Sequence, residues 1–356
     1  MSKVRSLFLC LLPAIFFGCA SSSNVSKTSQ SAKGMPDWIL GTSSMYPKSF
    51  YLTGTGSATD KKSAELDAIN ELVSIFGQSV SSAASTSRRM EMAQSKGIVA
   101  YGEESSIDQG VLREINQNDV IAVEIPEFYE EKSENKWYAL AVMSKSKGSQ
   151  IYSNMIDKNQ AEINSIINQI KAEKEPNTMI NYSRLDFAEE ISKINEGYLK
   201  RLTILNPEAA RKYDSIYTAV QIHKMKSDMA AKIPVCVKVD NDSDGRVAKA
   251  FQEVLASYGF NTTLGSNERY AIKCNILFFQ RESSDNKTKF CEYVADCTLN
   301  DTFTGETLVP LGINGREGSP TYQNAEVRAK QKISSRIKND FSKSFKSYLG
   351  DFSKAF

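Results

Sequence analysis

The densest run of chemistry in this 356-residue chain is Asp240-Asn241-Asp242-Ser243-Asp244-Gly245. It puts carboxylates at positions 1, 3 and 5 of a calcium loop and the glycine at position 6, but position 12 is Phe251 where a bidentate Glu belongs. A strand pattern precedes the loop in place of an entering helix, so Asp240, Asp242 and Asp244 make only a weak calcium site. A hydrated turn in which Asp244 caps the following helix accounts for every residue without a metal. Among the six cysteines, Cys236, Cys274, Cys291 and Cys297 all lie in the last third of the chain, and four cysteines allow three connectivities. No Cys-x-x-Cys pair suggests zinc, and the alternating positions of Cys274, Cys291 and Cys297 suit small core residues. One disulfide or none is expected, with the pairing open. His223 is the single histidine, which excludes two-His metal sites by count, and it reads as a solvated helix residue. Carboxylate-pair hydrolysis needs only two Asp or Glu side chains, and no spacing singles out such a pair. No catalytic residue and no cofactor are assigned.

Gly54-Thr55-Gly56-Ser57-Ala58-Thr59 follows a strand pattern and opens a helix, the setting of a dinucleotide loop. The third glycine is replaced by Thr59, and a glycine turn relieving backbone strain is the expected reading.

Cys19 carries different chemistry. Lys3 and Arg5 precede a mostly apolar run from Leu7 to Phe17, and Gly18 puts a small residue before the cysteine. The run is short for a bilayer span and reads as a removed targeting segment. Cleavage before Cys19 would leave a thiol for diacylglycerol and an amine for a further acyl chain, and two or more chains anchor stably. The segment resembles the signal of bacterial lipoproteins, with Phe16 and Phe17 in the first two places of their box. The resemblance implies palmitate at Cys19 and a membrane contact through lipid. An ordinary secretory signal cut after Ala20 or Ser22 is the alternative. Ala20-Ser21 lacks the Asp that retains many such proteins at the inner membrane, so an outer-membrane anchor facing the periplasm is expected.

The 44 basic and 42 acidic side chains leave an excess of two, which Lys3 and Arg5 supply. The remaining chain is balanced, so no overall charge argues for nucleic acid. Residues 1–18 then form the signal peptide and 19–35 the lipidated cysteine with a polar tether, spanning ~20 Å on average at about 5–6 Å per square-root residue.

The elements that must position these residues read as α+β: two units of helix on antiparallel sheet joined by an all-helical segment. The first, residues 36–148, begins near Pro36-Asp37-Trp38. Tyr51 to Ala58 is a strand running into the glycine turn, and Asp60 caps a helix with Ile69, Leu72, Val73, Phe76, Val80 and Ala83 on one face. Val111 to Ile125 suggests strands, and Trp137 to Met143 a buried strand. Pro36-Asp37-Trp38, Tyr51-Leu52-Thr53-Gly54-Thr55-Gly56-Ser57-Ala58, the helix Ala64 to Val80 and Trp137-Tyr138-Ala139-Leu140 together resemble the LPP-twenty family, named after a twenty-kilodalton outer-membrane lipoprotein. That resemblance implies an envelope location, in some members near the flagellar apparatus, and no known catalysis.

Residues 149–231 show three helical stretches, broken at Pro176-Asn177 and Asn206-Pro207. They pack internally or present a surface to partners, and each flanking unit is expected to bury its own core without them. Residues 232–356 restore strands at 233–239, around 270–278, 291–299 and 306–311, a helix at 247–258 and a closing helix at 325–349. Leu299 to Glu306 faintly resembles envelope-assembly lipoproteins of the curli-secretion kind. The closing region carries Arg328, Lys330, Lys332, Arg336, Lys338, Lys343, Lys346 and Lys354, a solvated basic face or an attraction for anionic headgroups. The function expected from all this is a lipid-anchored envelope protein with a structural or assembly role. An envelope polysaccharide hydrolase and a periplasmic ligand-binding module are the alternatives. Other envelope proteins are the expected partners, and a homo-oligomer is open.

Overall fold

The computed structural model describes residues 34–41, 43–76, 122–265, 267–284 and 287–351. The signal, Cys10, Cys19, nearly all of the tether, Val80, Ala83, the strand expected from Val111 and Lys354 lie outside the described residues. The described residues from Asp37 onward form one compact unit.

The first sheet is antiparallel, in the order β1 (Tyr51–Ala58), β3 (Lys136–Ser144), β2 (Val123–Glu131). Helix α1 (Lys61–Ser74) starts at Asp60, whose carboxylate accepts the Ser63 amide at 2.9 Å. It covers the face that carries Gly54 and Gly56 on β1 and Ala139 and Ala141 on β3, with its own Ala64 and Ala68 turned inward. Small residues on all three elements let helix and sheet approach closely. A Cβ at Gly56 would fall 2.0 Å from the Ala68 nitrogen and 2.2 Å from the Ala64 oxygen. The expectation of a glycine turn is therefore corrected. Gly54 and Gly56 lie within a strand that continues to Ala58, neither takes a positive φ, and both make room for a helix. The opposite face is closed by a short 3-10 turn, Asp37–Leu40, through Trp38 on Leu140 and Val142. The Trp38 indole nitrogen donates to Glu127 at 2.7 Å, which anchors that turn to β2.

Helices α2 (Lys145–Ala172) and α3 (Met179–Leu205) follow, capped by Ser144 and Thr178. The third stretch is not one helix. It divides into α4 (Pro207–Ala210), a 3-10 turn and α5 (Ala219–Ala230), because Thr218 opens a fresh helix with a capping box to Gln221.

The second sheet has the order β5 (Asn261–Thr263), β4 (Pro234–Asp240), β6 (Tyr270–Glu282), β7 (Lys289–Asp301), β8 (Glu306–Ser319). Helix α6 (Arg246–Ser257) separates β4 from β5, and β4 runs parallel to both β5 and β6. The sheet is thus mixed, antiparallel only from β6 to β8. Helices α7 (Tyr322–Arg336) and α8 (Ser342–Leu349) join through a π-helical turn, Ile337–Phe341, and cover the inner face with α6. Phe251, Phe341 and Phe345 fill that layer, with ring centroids 5.0 Å apart for the first pair and 5.6 Å for the second.

The two cores divide α2 and α3 between them. Tyr152 and Ile156 on α2 and Ile194, Tyr198 and Leu202 on α3 belong to the first, while Ile163 to Ile170 and Met179 to Ile191 belong to the second. The helical segment is shared core rather than a surface neither sheet needs, and the expectation that each unit closes alone is corrected.

Candidate functional site: an uncovered sheet face and edge

The acidic turn is committed to the fold. Asp242 accepts the amides of Val247 and Ala248, both at 2.9 Å, and Asp244 accepts that of Arg246 at 3.4 Å, so Asp242 shares with Asp244 the start of α6. Lys330, buried on α7, brings its ammonium 3.0 Å from the Ser243 hydroxyl, 4.0 Å from Asp244 and 3.0 Å from Glu326. A tethered cation thus sits where the loop's charge would draw a free one. Burial pushes the Asp242 carboxyl up, with the neighbouring Asp244 adding to it. Asp244 is held below its ordinary value because the Arg246 amide and Lys330 outweigh its partial burial. Asp240 is exposed at the end of β4. Among the described residues no group of three or more His, Cys, Asp or Glu is placed to hold a metal ion.

Cys274 and Cys297, opposite each other on β6 and β7, form a disulfide. Cys236 and Cys291 are free and buried, and burial pushes the Cys291 thiol up to about 11, which makes it a poor nucleophile. His223 is largely exposed, with Nδ1 3.2 Å from Glu189. Glu189 itself is buried and also meets Lys193 at 2.9 Å and Lys226 at 2.7 Å. The spacing of Asp186, Glu189 and Lys193 on α3 put them on one face in the sequence already. The partner Lys226 on α5 was not legible there. The basic closing helix is neutralised in part. Lys330 is buried, Lys338 pairs with Glu253, Arg336 with Asp340, and Arg328 donates to the Gly318 carbonyl. The Leu299 to Glu306 stretch is a hairpin turn held by Asp301, which accepts the Phe303 amide at 3.0 Å and pairs with Arg269 at 2.8 Å.

The structure itself builds a different surface. Along β6 and β7, Tyr270, Ile272, Cys274, Ile276, Tyr293, Ala295 and Leu299 face the helices. The alternate residues face outward, and there Leu277 and Phe279 are each 45% exposed and Val294 36%. Phe279, Arg281, Glu292, Val294, Asn314 and Arg316 line an open groove of about 540 Å³ on this side. Arg281 pairs with Glu292 at 3.4 Å, and the Arg316 guanidinium lies over the Phe290 ring at 4.6 Å. Sequence alternation marked the inner residues of β6 and β7 but carried no sign that the outer apolar ones stay uncovered.

No family model matches this chain, and no curated protein matches it. Several solved structures are similar to it, three of them as follows. A secreted protein of Helicobacter pylori shares 16% identity over 82% of this chain and 97% of that one, with a TM-score of 0.38. A minor lipoprotein of Acinetobacter baumannii shares 9% identity over 33% of this chain and 92% of that one, with a TM-score of 0.23. A Caulobacter crescentus protein described as a lipoprotein shares 12% identity over 35% and 92%, with a TM-score of 0.23. None of them assigns a role to a residue of this chain. The LPP-twenty resemblance has no family model behind it.

The two edges of the sheets differ in a way that bears on function. On β1 the amides of Thr55 and Ser57 donate to Glu71 and Asp67 of α1, the latter at 2.9 Å, so that edge is occupied. On β8 the outward groups of Gly312, Asn314 and Arg316 make no hydrogen bond among the described residues.

Proposed function

We propose that this chain is a lipid-anchored cell-envelope protein with a structural or assembly role, held at the outer membrane through Cys19 and facing the periplasm. The uncovered face of the second sheet carries the reading. A sheet with one helix-covered face and exposed Leu277, Phe279 and Val294 on the other offers a contact surface to other envelope proteins. The signal ending at Gly18-Cys19 supports the anchor. No described helix is long and apolar enough to cross a membrane. This reading assigns no catalytic residue, and the carboxylates of the acidic turn, Asp242 and Asp244, serve α6 and face Lys330.

The test is photo-crosslinking in intact cells from a benzoylphenylalanine at position 277 or 279, compared with position 220 on α5, where Val220 is 77% exposed. The reading expects adducts with envelope proteins from the sheet face and none from position 220. Peptidoglycan hydrolysis by the purified protein that a scan of Asp→Asn and Glu→Gln substitutions abolishes at two positions without unfolding the chain, with no adducts from the face, replaces it with the hydrolase alternative.

A further inference from the structure

The hydrogen-bond parity of the second sheet fixes which groups of β8 point away from it. At the β6–β7 hairpin the Ser283 amide donates to the Thr288 carbonyl, and at the far end the Thr302 amide donates to the Arg269 carbonyl. Even-numbered residues of β7 therefore bond to β6 and odd-numbered ones to β8, since the two sides alternate along an antiparallel strand. Their partners on β8, from Val309 to Ser319, are odd-numbered. The backbone groups of Pro310, Gly312, Asn314, Arg316 and Gly318 consequently point outward from the edge of the sheet.

This row is limited at both ends. Pro310 has no amide to donate, and the Gly318 carbonyl already accepts from Arg328 at 2.8 Å. An antiparallel strand centred on Asn314 places residue 312 against 316 and 310 against 318. If that strand is β8 of a second copy, the missing amide of Pro310 falls opposite the one carbonyl that no longer needs a donor. Gly312, Asn314 and Arg316 are left to exchange bonds with their symmetry mates.

The side chains agree. Arg316 meets no carboxylate within ion-pair distance, and Asp296, next to Gly312 on the outer face, has no ion pair or hydrogen bond among the described residues. In the centred register Arg316 of the second copy lies opposite Gly312, which has no side chain to block it. One further strand on, Asp296 is about 10 Å away between Cα atoms, from a spacing of about 5.5 Å across a hydrogen-bonded pair and about 4.8 Å between strands. That is within reach of an arginine.

We propose that β8 pairs antiparallel with β8 of a second copy, centred on Asn314, and that two symmetric Arg316–Asp296 ion pairs fix the register. The proposal deepens the assembly reading above and rests on it only in taking this side of the sheet as a contact surface. A contact of five residues is smaller than a standard interface of roughly 1,200–2,000 Å², so it is weak in dilute solution. A shared membrane raises the local concentration of both copies.

The experiment uses the full lipidated chain in phosphatidylcholine–phosphatidylglycerol vesicles. Asn314→Cys should give a covalent dimer on mild oxidation and Lys273→Cys, on the same face at β6, should not. In the Asn314→Cys background, Arg316→Glu should lower the crosslinked fraction at least tenfold without moving the melting temperature, and adding Asp296→Arg should restore it. Gly312→Pro, which removes an outward amide, should abolish the dimer independently. No dimer above the Lys273→Cys level, or no recovery in the charge swap, overturns the proposal while leaving adducts from positions 277 and 279 intact. An adduct of the Asn314→Cys variant in cells with a different envelope protein, in place of the dimer, assigns the edge to another chain's strand and also overturns it.

Discussion

Glu189 shows how a single carboxylate earns its place in the interior. Burial alone would raise it, yet bonds from Lys193 and Lys226 outweigh burial and bring it down to about 2 from 4.5. Lys226 is correspondingly raised, held by Asp186 at 2.6 Å as well as by Glu189. A carboxylate whose folded value is depressed stabilises the fold above its unfolded value and loses that contribution as pH falls. For Glu189 the window runs from about 4.5 down to about 2. The shift corresponds to about 3 kcal/mol by linkage, an order-of-magnitude figure. Glu189→Gln should therefore lower the urea-unfolding free energy by about that amount at pH 7. The difference from wild type should shrink by pH 3. A constant difference across both pH values would show that the loss comes from packing. His223, read as solvated, touches this same carboxylate, a contact that depends on how α5 lies across α3 and is invisible in a linear chain.

At the scale of elements, the most informative contact is between β1 and α1. Glycine in a strand weakens it, so Gly54 and Gly56 need a structural reason, and the close approach of the α1 backbone supplies one. Gly56→Ala should cost about 2–4 kcal/mol, somewhat above ordinary overpacking because the clash is with helix backbone that cannot rotate away. Gly312→Ala, with nothing within 4 Å of the added Cβ, should leave thermal melting unchanged. Equal effects at the two positions would contradict the packing account. Much of the element order was legible in the sequence. The cap Asp60, the breakers and the alternation of β6 and β7 all follow local rules. The misses have nonlocal causes. The Gly-x-Gly strand looked like a turn because its helix partner lies across space. β8 was expected to end at Leu311 but runs to Ser319, because Gly312, Gly315 and Gly318 look like breakers until β7 pairs with them. The strand Val123–Glu131 was missed in its second half, where Glu127, Glu130 and Glu131 stand on the last strand of the sheet.

For the molecule as a whole, α2 and α3 run from one core into the other, so the two sheets are tied by shared interior. A Gly/Ser replacement of residues 149–231 would remove part of each core rather than a free arm. The contact surface we propose therefore lies on the outer face of the second sheet and not on the helical segment, where the sequence suggested it. The central claim remains that the molecule works from a lipid anchor at Cys19. Its most direct test is metabolic labelling with palmitate, followed by flotation of the membranes. The account predicts label in the wild-type protein, which floats with the envelope, and neither label nor flotation in Cys19→Ala. Label that persists in Cys19→Ala, or a wild-type protein that is secreted without it, would contradict the account.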